Sequence, residues 1–293
     1  MANSLEYAKK FVPVIDGIYK AAGLTEGMDS ATQVDFTGTN EVKVLKVTTT
    51  GLGDYDRSTG YPAGDITAAW ETIALAVERG KELSIDRMDN EETLGLVFGE
   101  VTGQFMREFV IPELDAYRFA KYASTSGISS ATAAILTASD ILEAIDEAVR
   151  QMDEEEVPLE GRRLYINSDL KPILNAALTR QFGSDNAVNT VLKTYNDMPI
   201  VYVPKKRFYT AITLNPGVTT WGYTKGATAK DINFMIIYPQ SILQAKKFAL
   251  PKIFTPDDNQ TKDAWKFQFR LYHDCYVYEN KAKGVYLHPK ASA

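Results

Sequence analysis

Residues 41–48 and 70–85 read as strands, and within the second the side chains follow the period-two pattern of a strand. In the second stretch Ile73, Leu75 and Val77 alternate with Thr72, Ala74 and Ala76, and Leu83 and Ile85 resume the pattern after Arg79-Gly80-Lys81. Residues 51–65 between the stretches are rich in glycine and aspartate, so the pair predicts a long hairpin with Glu78 and Arg79 near its tip. Its apolar content is modest on either face. A two-stranded ribbon of this kind is marginal alone in water and is expected to lie against something else, such as another chain.

From residue 91 the period changes. Leu94, Val97, Phe98, Val101, Phe105 and Phe109 recur at steps of three and four, predicting a helix over residues 91–123. Glu91 and Glu92 suit its positive end, and Pro112 predicts a bend. Gly95, Gly99 and Gly103 recur every fourth residue, a stripe that permits close approach of another backbone. A Thr-x-x-Asp pattern at Thr137 opens a second helix over 137–152, striped by Ile141, Leu142, Ile145, Val149 and Met152. Strands at 163–166 and 199–203 and a helix capped by Ser168 read as a compact α/β unit, followed by a strand at 232–238. Over 265–277 the odd positions, Trp265 to Val277, are apolar apart from His273, while Lys266, Gln268, Arg270 and Asp274 stand between them, so one face is expected buried and one wet. At the other end of the chain, residues 5–19 are loosely helical in spacing. Residues 21–39 are small, polar and punctuated by glycine, a composition that predicts an extended arm with no anchor in a core.

Composition narrows the classes. With 293 residues, 45% hydrophobic and 24% charged, the chain can bury a substantial core, and with Cys275 alone it forms no internal disulfide. A formal charge of -6 argues against a protein that coats nucleic acid over its whole surface, though not against one basic face. The first ten residues lack a signal-peptide pattern, and no window approaches a membrane span, so a soluble chain made in the cytoplasm is expected.

Candidate chemistry is sparse. His273 and Cys275 fall on the same strand face, a conceivable nucleophile pair without a third orienting group, and His288 is expected at the surface. Two histidines and one cysteine cannot make a cysteine-rich zinc site. The acids Asp54, Asp56, Asp86, Asp89, Glu91 and Glu92 do not match the spacing of a calcium loop. Gly51-Leu-Gly53 lacks the lysine and the helix of a phosphate loop. Lys205-Lys206-Arg207, beside Phe208 and Tyr209, reads as a solvated strand end rather than a nucleic-acid contact. No catalytic, cofactor-binding or metal-binding residue is assigned, and the inventory is that of a structural protein, not an enzyme.

Two passages carry a family resemblance. Trp70-Glu-Thr, Val77-Glu-Arg-Gly80 and Ile85-Asp-Arg-Met-Asp-Asn-Glu-Glu-Thr93 resemble the extended loop of major capsid proteins of tailed bacteriophages. Phe105-Met-Arg-Glu-Phe-Val-Ile-Pro-Glu-Leu-Asp-Ala-Tyr-Arg118 is similar to the spine helix of that family, whose shell fold is of the Hong Kong 97 type. The resemblance implies an α+β fold: an N-terminal arm (1–39), an extended-loop hairpin (40–90), a peripheral domain with the spine helix (91–135), an axial α/β domain (136–231) and return strands completing the peripheral domain (232–293). It implies a major capsid protein that self-assembles, as pentamers and hexamers, into an icosahedral head shell around double-stranded DNA held on the inner face without sequence specificity. A separate scaffolding protein and a portal are the implied partners, and the virion, assembled in the host cytoplasm, the implied location. Intersubunit contacts are expected at Trp70, Glu78, Arg79 and Lys81. Some family members join a loop lysine to an asparagine of a neighbour; here Lys81 and Asn280 are the positions in question, and ordinary solvated residues are expected. An encapsulin-type nanocompartment shares the fold and is the nearest rival, with a cytosolic α+β enzyme further off.

Overall fold

The computed structural model describes residues 23–28, 41–88, 102–181 and 193–291. Strands β1 (Glu41–Thr49) and β2 (Ile66–Ala74) pair antiparallel without a slip, from Glu41 opposite Ala74 to Thr49 opposite Ile66, and residues 50–65 form the tip. Strand β3 (Val77–Asp86) does not prolong this ribbon. The alternation expected to run unbroken over 70–85 is split at Leu75-Ala76, and β3 joins a different sheet. Glu78, Arg79 and Lys81 therefore lie beyond the foot of the hairpin, not near its tip. Gly80, which looked like a turn, is a strand residue: a Cβ there would stand 3.2 Å from the Phe269 carbonyl oxygen, so the backbones approach where a side chain would crowd.

The long helix is described from Thr102 onward; residues 91–101, with Gly95 and Gly99, lie outside the described residues, and Gly103 is buried. Ahead of Pro112 the helix changes form: a π-helical turn, Met106–Val110, leads into helix α1 (Ile111–Ser124). Proline in the first turn of α1 has no N–H to contribute, and the wider turn stands where the one carbonyl it leaves unpaired lies. α1 buries Ile111, Leu114, Phe119 and Tyr122, but also Asp115 and Arg118.

After the short strand β4 (Ser129–Ser130), helix α2 (Ile141–Glu154) starts at Asp140, whose carboxylate accepts from the Thr137 hydroxyl at 2.5 Å. Strand β5 (Arg163–Asn167) leads through a 3-10 turn into helix α3 (Lys171–Gln181). The cap is Asn167, not Ser168: its side-chain oxygen accepts from the Asp169 amide at 3.1 Å. Strands β6 (Thr194–Tyr195), β7 (Met198–Val203), β8 (Ile212–Leu214), β9 (Tyr223–Lys225), β10 (Ile232–Ile237), β11 (Ile242–Phe254), β12 (Ala264–Val277) and β13 (Val285–Pro289) complete the described chain.

One sheet has the order β4-β13-β10-β5-β7-β6, and another the order β11-β12-β3. The first is covered on both faces. Phe234 and Ile236 point with Leu164 and Ile166 toward α2 and α3, while Met235 and Ile237 point with Tyr165 and Leu287 toward Phe119 and Tyr122 of α1. A strand buried on both sides reads as a continuous apolar run, which is why the 232–237 stretch shows no alternation. The boundary expected at residue 232 cuts through this sheet, because β10 and β13 pair with β5 and β4, and among the last strands only β11 and β12 lie with β3.

His288 is not at the surface. It is 5% exposed on β13, its ring 4.9 Å from that of Phe234 and its Nδ1 3.2 Å from Asn233 Nδ2. Position near the chain end was a poor guide, since the terminal strand is an inner strand of the sheet.

Candidate functional site: the hairpin, its hinge and the arm clasp

The β1–β2 register sorts side chains onto two faces. Leu45 sits opposite Trp70, Val47 opposite Ala68 and Thr49 opposite Ile66, placing all of them on one side. That side is open: Leu45 is 48% exposed, Trp70 63% and Ile66 75%. The other face turns toward the body, where Lys46 Nζ meets Glu279 at 2.7 Å and Ile73 is buried. The Glu71 carboxyl is pushed up by burial and by the neighbouring Glu279 charge. At the tip, Asp56 accepts from the Ser58 amide and hydroxyl at 2.7 and 2.6 Å, and the Tyr55 and Tyr61 rings meet edge to face at 4.9 Å.

The foot of the hairpin is held by one carboxylate. Asp274 of β12 is 1% exposed and accepts from the Tyr117 hydroxyl of α1 at 2.8 Å, the Tyr276 hydroxyl at 2.8 Å and the Ala76 amide at 3.1 Å. Burial and this carboxylate push both phenols well above the usual tyrosine range, so they remain donors. Tyr272 donates to the Leu75 carbonyl at 2.9 Å, and the Tyr276 hydroxyl shares its single proton between Asp274 and the Ala74 carbonyl. The break between β2 and β3 is thus bonded to β12 on both sides, and through Asp274 to α1. Asp274 was expected on the wet face of β12; it is buried because it satisfies these donors.

Of the four residues expected at subunit contacts, Trp70 alone lies on the open hairpin face. Glu78 pairs with Arg270 on the neighbouring strand. Arg79 is a staple: its guanidinium meets Glu113 of α1 at 2.7 and 3.2 Å and donates to the carbonyls of Asn215 and Gly222 at 2.7 and 3.3 Å, joining β3, the helix and the β8–β9 loop. Lys81 places its ammonium 3.1 Å from the centre of the Trp221 ring, on that same loop.

The described piece of the arm contradicts the expectation of an unanchored segment. Asp115 accepts from the Leu24 amide at 3.2 Å, the Thr25 amide at 3.2 Å and the Thr25 hydroxyl at 2.8 Å; Arg118 donates to the same hydroxyl at 2.8 Å. Arg207 reaches Asp115 from the far side at 3.2 Å, so this basic cluster is not a merely solvated strand end. Met28, 1% exposed, packs with Phe119 and Phe208. Backbone amides and one thioether suffice as an anchor, and apolar content along 21–39 could not reveal it. The signal available in the sequence was Asp115 and Arg118 interrupting the apolar face of a helix.

Cys275 and His273 do not form a nucleophile pair. Burial pushes the thiol up to about 12 and the imidazole down to about 3, leaving both neutral where thiolate chemistry needs the opposite. His273 packs edge to face on Tyr117 at 5.3 Å. Among the described residues no group of three or more His, Cys, Asp or Glu is placed to hold a metal, and no helix is long and apolar enough to cross a membrane.

No protein-family model matches the chain, and no curated protein does. Solved structures do match. The capsid of the cyanophage P-SCSP1u is 16% identical with a TM-score of 0.63, over 91% of this chain and 87% of that one. The mature capsid of bacteriophage PhiM1 is 11% identical with a TM-score of 0.59, over 90% of each chain. A virus-like particle from Pyrococcus furiosus is 9% identical with a TM-score of 0.58, over 97% of this chain and 99% of that one. The chain has the Hong Kong 97-type capsid fold over most of its length.

Proposed function

We propose that the chain is the major subunit of a closed icosahedral shell of the tailed-phage type, built of pentamers and hexamers around packaged double-stranded DNA. The observation that carries this reading is the open apolar face of the hairpin, Leu45, Val47, Ile66 and Trp70, on a chain with a shell fold. Aromatic and aliphatic side chains held in a rigid ladder and left in water are an interface awaiting a partner. Trp70 makes the contact, and Glu78 and Lys81 line the neighbouring surface. Arg79 acts indirectly, by fixing β3 on α1 and the β8–β9 loop. The role is structural rather than catalytic. A scaffolding protein and a portal act as separate partners, the DNA contact is without sequence preference, and the protein resides in the virion after assembly in the host cytoplasm.

Electron microscopy of the purified full chain, alone and with a co-expressed scaffold, tests the reading: closed shells or capsomers are expected, and a monodisperse monomer at high concentration would overturn it. An encapsulin-type compartment is the second, less favoured reading, kept because the fold is shared with a virus-like particle from Pyrococcus furiosus. Nuclease-protected DNA inside native particles supports the capsid; a protein cargo without DNA supports the compartment.

A further inference from the structure

A cleft of about 350 Å³ opens between β3, β12, the π-helical turn ahead of α1 and the β8–β9 loop. This lies within the roughly 300–1,000 Å³ of small-molecule sites. Leu83, Leu114, Phe269 and Leu271 form apolar walls, and the exposed Phe109 and Trp221 form the rim. The charges around it can be counted. Arg79, Lys81, Glu113 and His273 are the titratable side chains of the lining. Arg79 and Glu113 neutralise each other in their two-pronged pair, and the buried His273 is neutral. Lys81 is left. Its ammonium rests on the Trp221 ring and has no carboxylate partner among the described residues. Among the described residues the cleft therefore presents one positive charge without a carboxylate partner beside apolar walls.

We propose that this cleft binds a small amphipathic anion: an aliphatic chain ending in one carboxylate, its tail between Leu83, Phe269 and Leu271 and its head on Lys81. A monoanion matches the one cation without a carboxylate partner among the described lining residues, and an apolar tail matches walls that offer almost no hydrogen bonds. Trp221 keeps the ammonium at the rim of the cleft, where cation–π attraction gives way to a charge-assisted hydrogen bond when the carboxylate arrives. The inference goes beyond the shell reading and does not depend on it.

Isothermal titration calorimetry of the full chain with octanoate, hexanoate, butanoate and 1-octanol tests the assignment. Octanoate is expected to bind, with affinity falling about fourfold for each methylene removed. Lys81→Gln should weaken octanoate about tenfold while leaving 1-octanol unchanged. Leu83→Trp, which fills the cleft, should abolish binding of both with an unaltered circular dichroism spectrum. Absence of octanoate binding, equal weakening of octanoate and octanol by Lys81→Gln, or indifference to Leu83→Trp would overturn the proposal. Binding by free subunits that disappears in shells seen by electron microscopy would also overturn it, since the cleft would then be a contact with a second copy; the shell reading would stand.

Discussion

Strands β10 and β2 belong to the same chain and have opposite surroundings. All six residues of β10 are buried, while seven of the nine in β2 are exposed. β10 is held by what surrounds it: strands at both edges and helices over both faces. β2 is held by its ladder to β1 and by bonds at its foot, where Asp274, Tyr272 and Tyr276 grip the chain around Leu75-Ala76. Subunit stability thus resides in the six-stranded sheet and the helices on it, whereas the hairpin's apolar side chains add little until another surface covers them. Damage to the two regions should separate cleanly, the first appearing in the subunit and the second in the assembly.

The largest effect is expected from Phe234→Ala in β10. Removing a fully buried ring beside Tyr286 and His288 should cost the subunit about 3–5 kcal/mol in chemical denaturation. Asp115→Ala comes next. It strips two backbone amides and the Thr25 hydroxyl of their acceptor and leaves Arg207 without its partner, so about 3 kcal/mol should be lost. An unchanged midpoint would mean that the arm segment does not contribute to the fold.

Acidification follows. His273 is neutral in the folded chain, with its pKa depressed to about 3, and takes up a proton near its ordinary value when unfolded. The unfolded state then binds more protons below about pH 6.5, so stability present at neutral pH is lost as the pH falls. Between pH 7 and 5 this residue alone should account for about 2 kcal/mol. The His288 imidazole, also depressed by burial, adds in the same direction. Comparing denaturation at both pH values for the wild type and His273→Asn isolates the first contribution; an identical pH slope in both would refute it.

The smallest effect on the subunit is expected from Trp70→Ser, within about 0.5 kcal/mol, because the ring already lies in water. Light scattering should nevertheless show impaired assembly. A large drop in subunit melting temperature with assembly intact would reverse the contrast between the two regions.

Much of this contrast was legible in the sequence, and the failures have physical causes. Alternation placed the odd residues of β12 under cover, because a strand with one covered face imprints its period on the chain. Alternation carries no information about which strand is the partner. The passage from β2 to β3 keeps the same period across a change of sheet, with no glycine or proline to mark it, while Gly80 marks a close backbone approach instead of a turn. Buried polar groups were the second blind spot. Asp274 and Asp115 look like solvent-facing acids until their tyrosine and amide donors are placed around them from residues far away in sequence. The open hairpin face was half visible: Trp70 stood out by type, whereas Leu45 and Ile66 join it only once the register is known.

The inner position of the last strand also bears on how the molecule comes into being. Among the described strands β4 pairs with β13 alone, so the pairing of Ser129 with Tyr286 must wait until Tyr286 itself has left the ribosome. Until then the β13-facing edge of β10, an uninterrupted Ile-Asn-Phe-Met-Ile-Ile run, presents bare amides and carbonyls to any other nascent chain. Contacts this distant in sequence form slowly, and a half-built sheet is the species most prone to stick to its copies. Arrival of β13 covers that edge and leaves the open face of the hairpin as apolar surface still in water. If the chain builds the proposed shell, the timing of synthesis separates disordered aggregation from ordered construction.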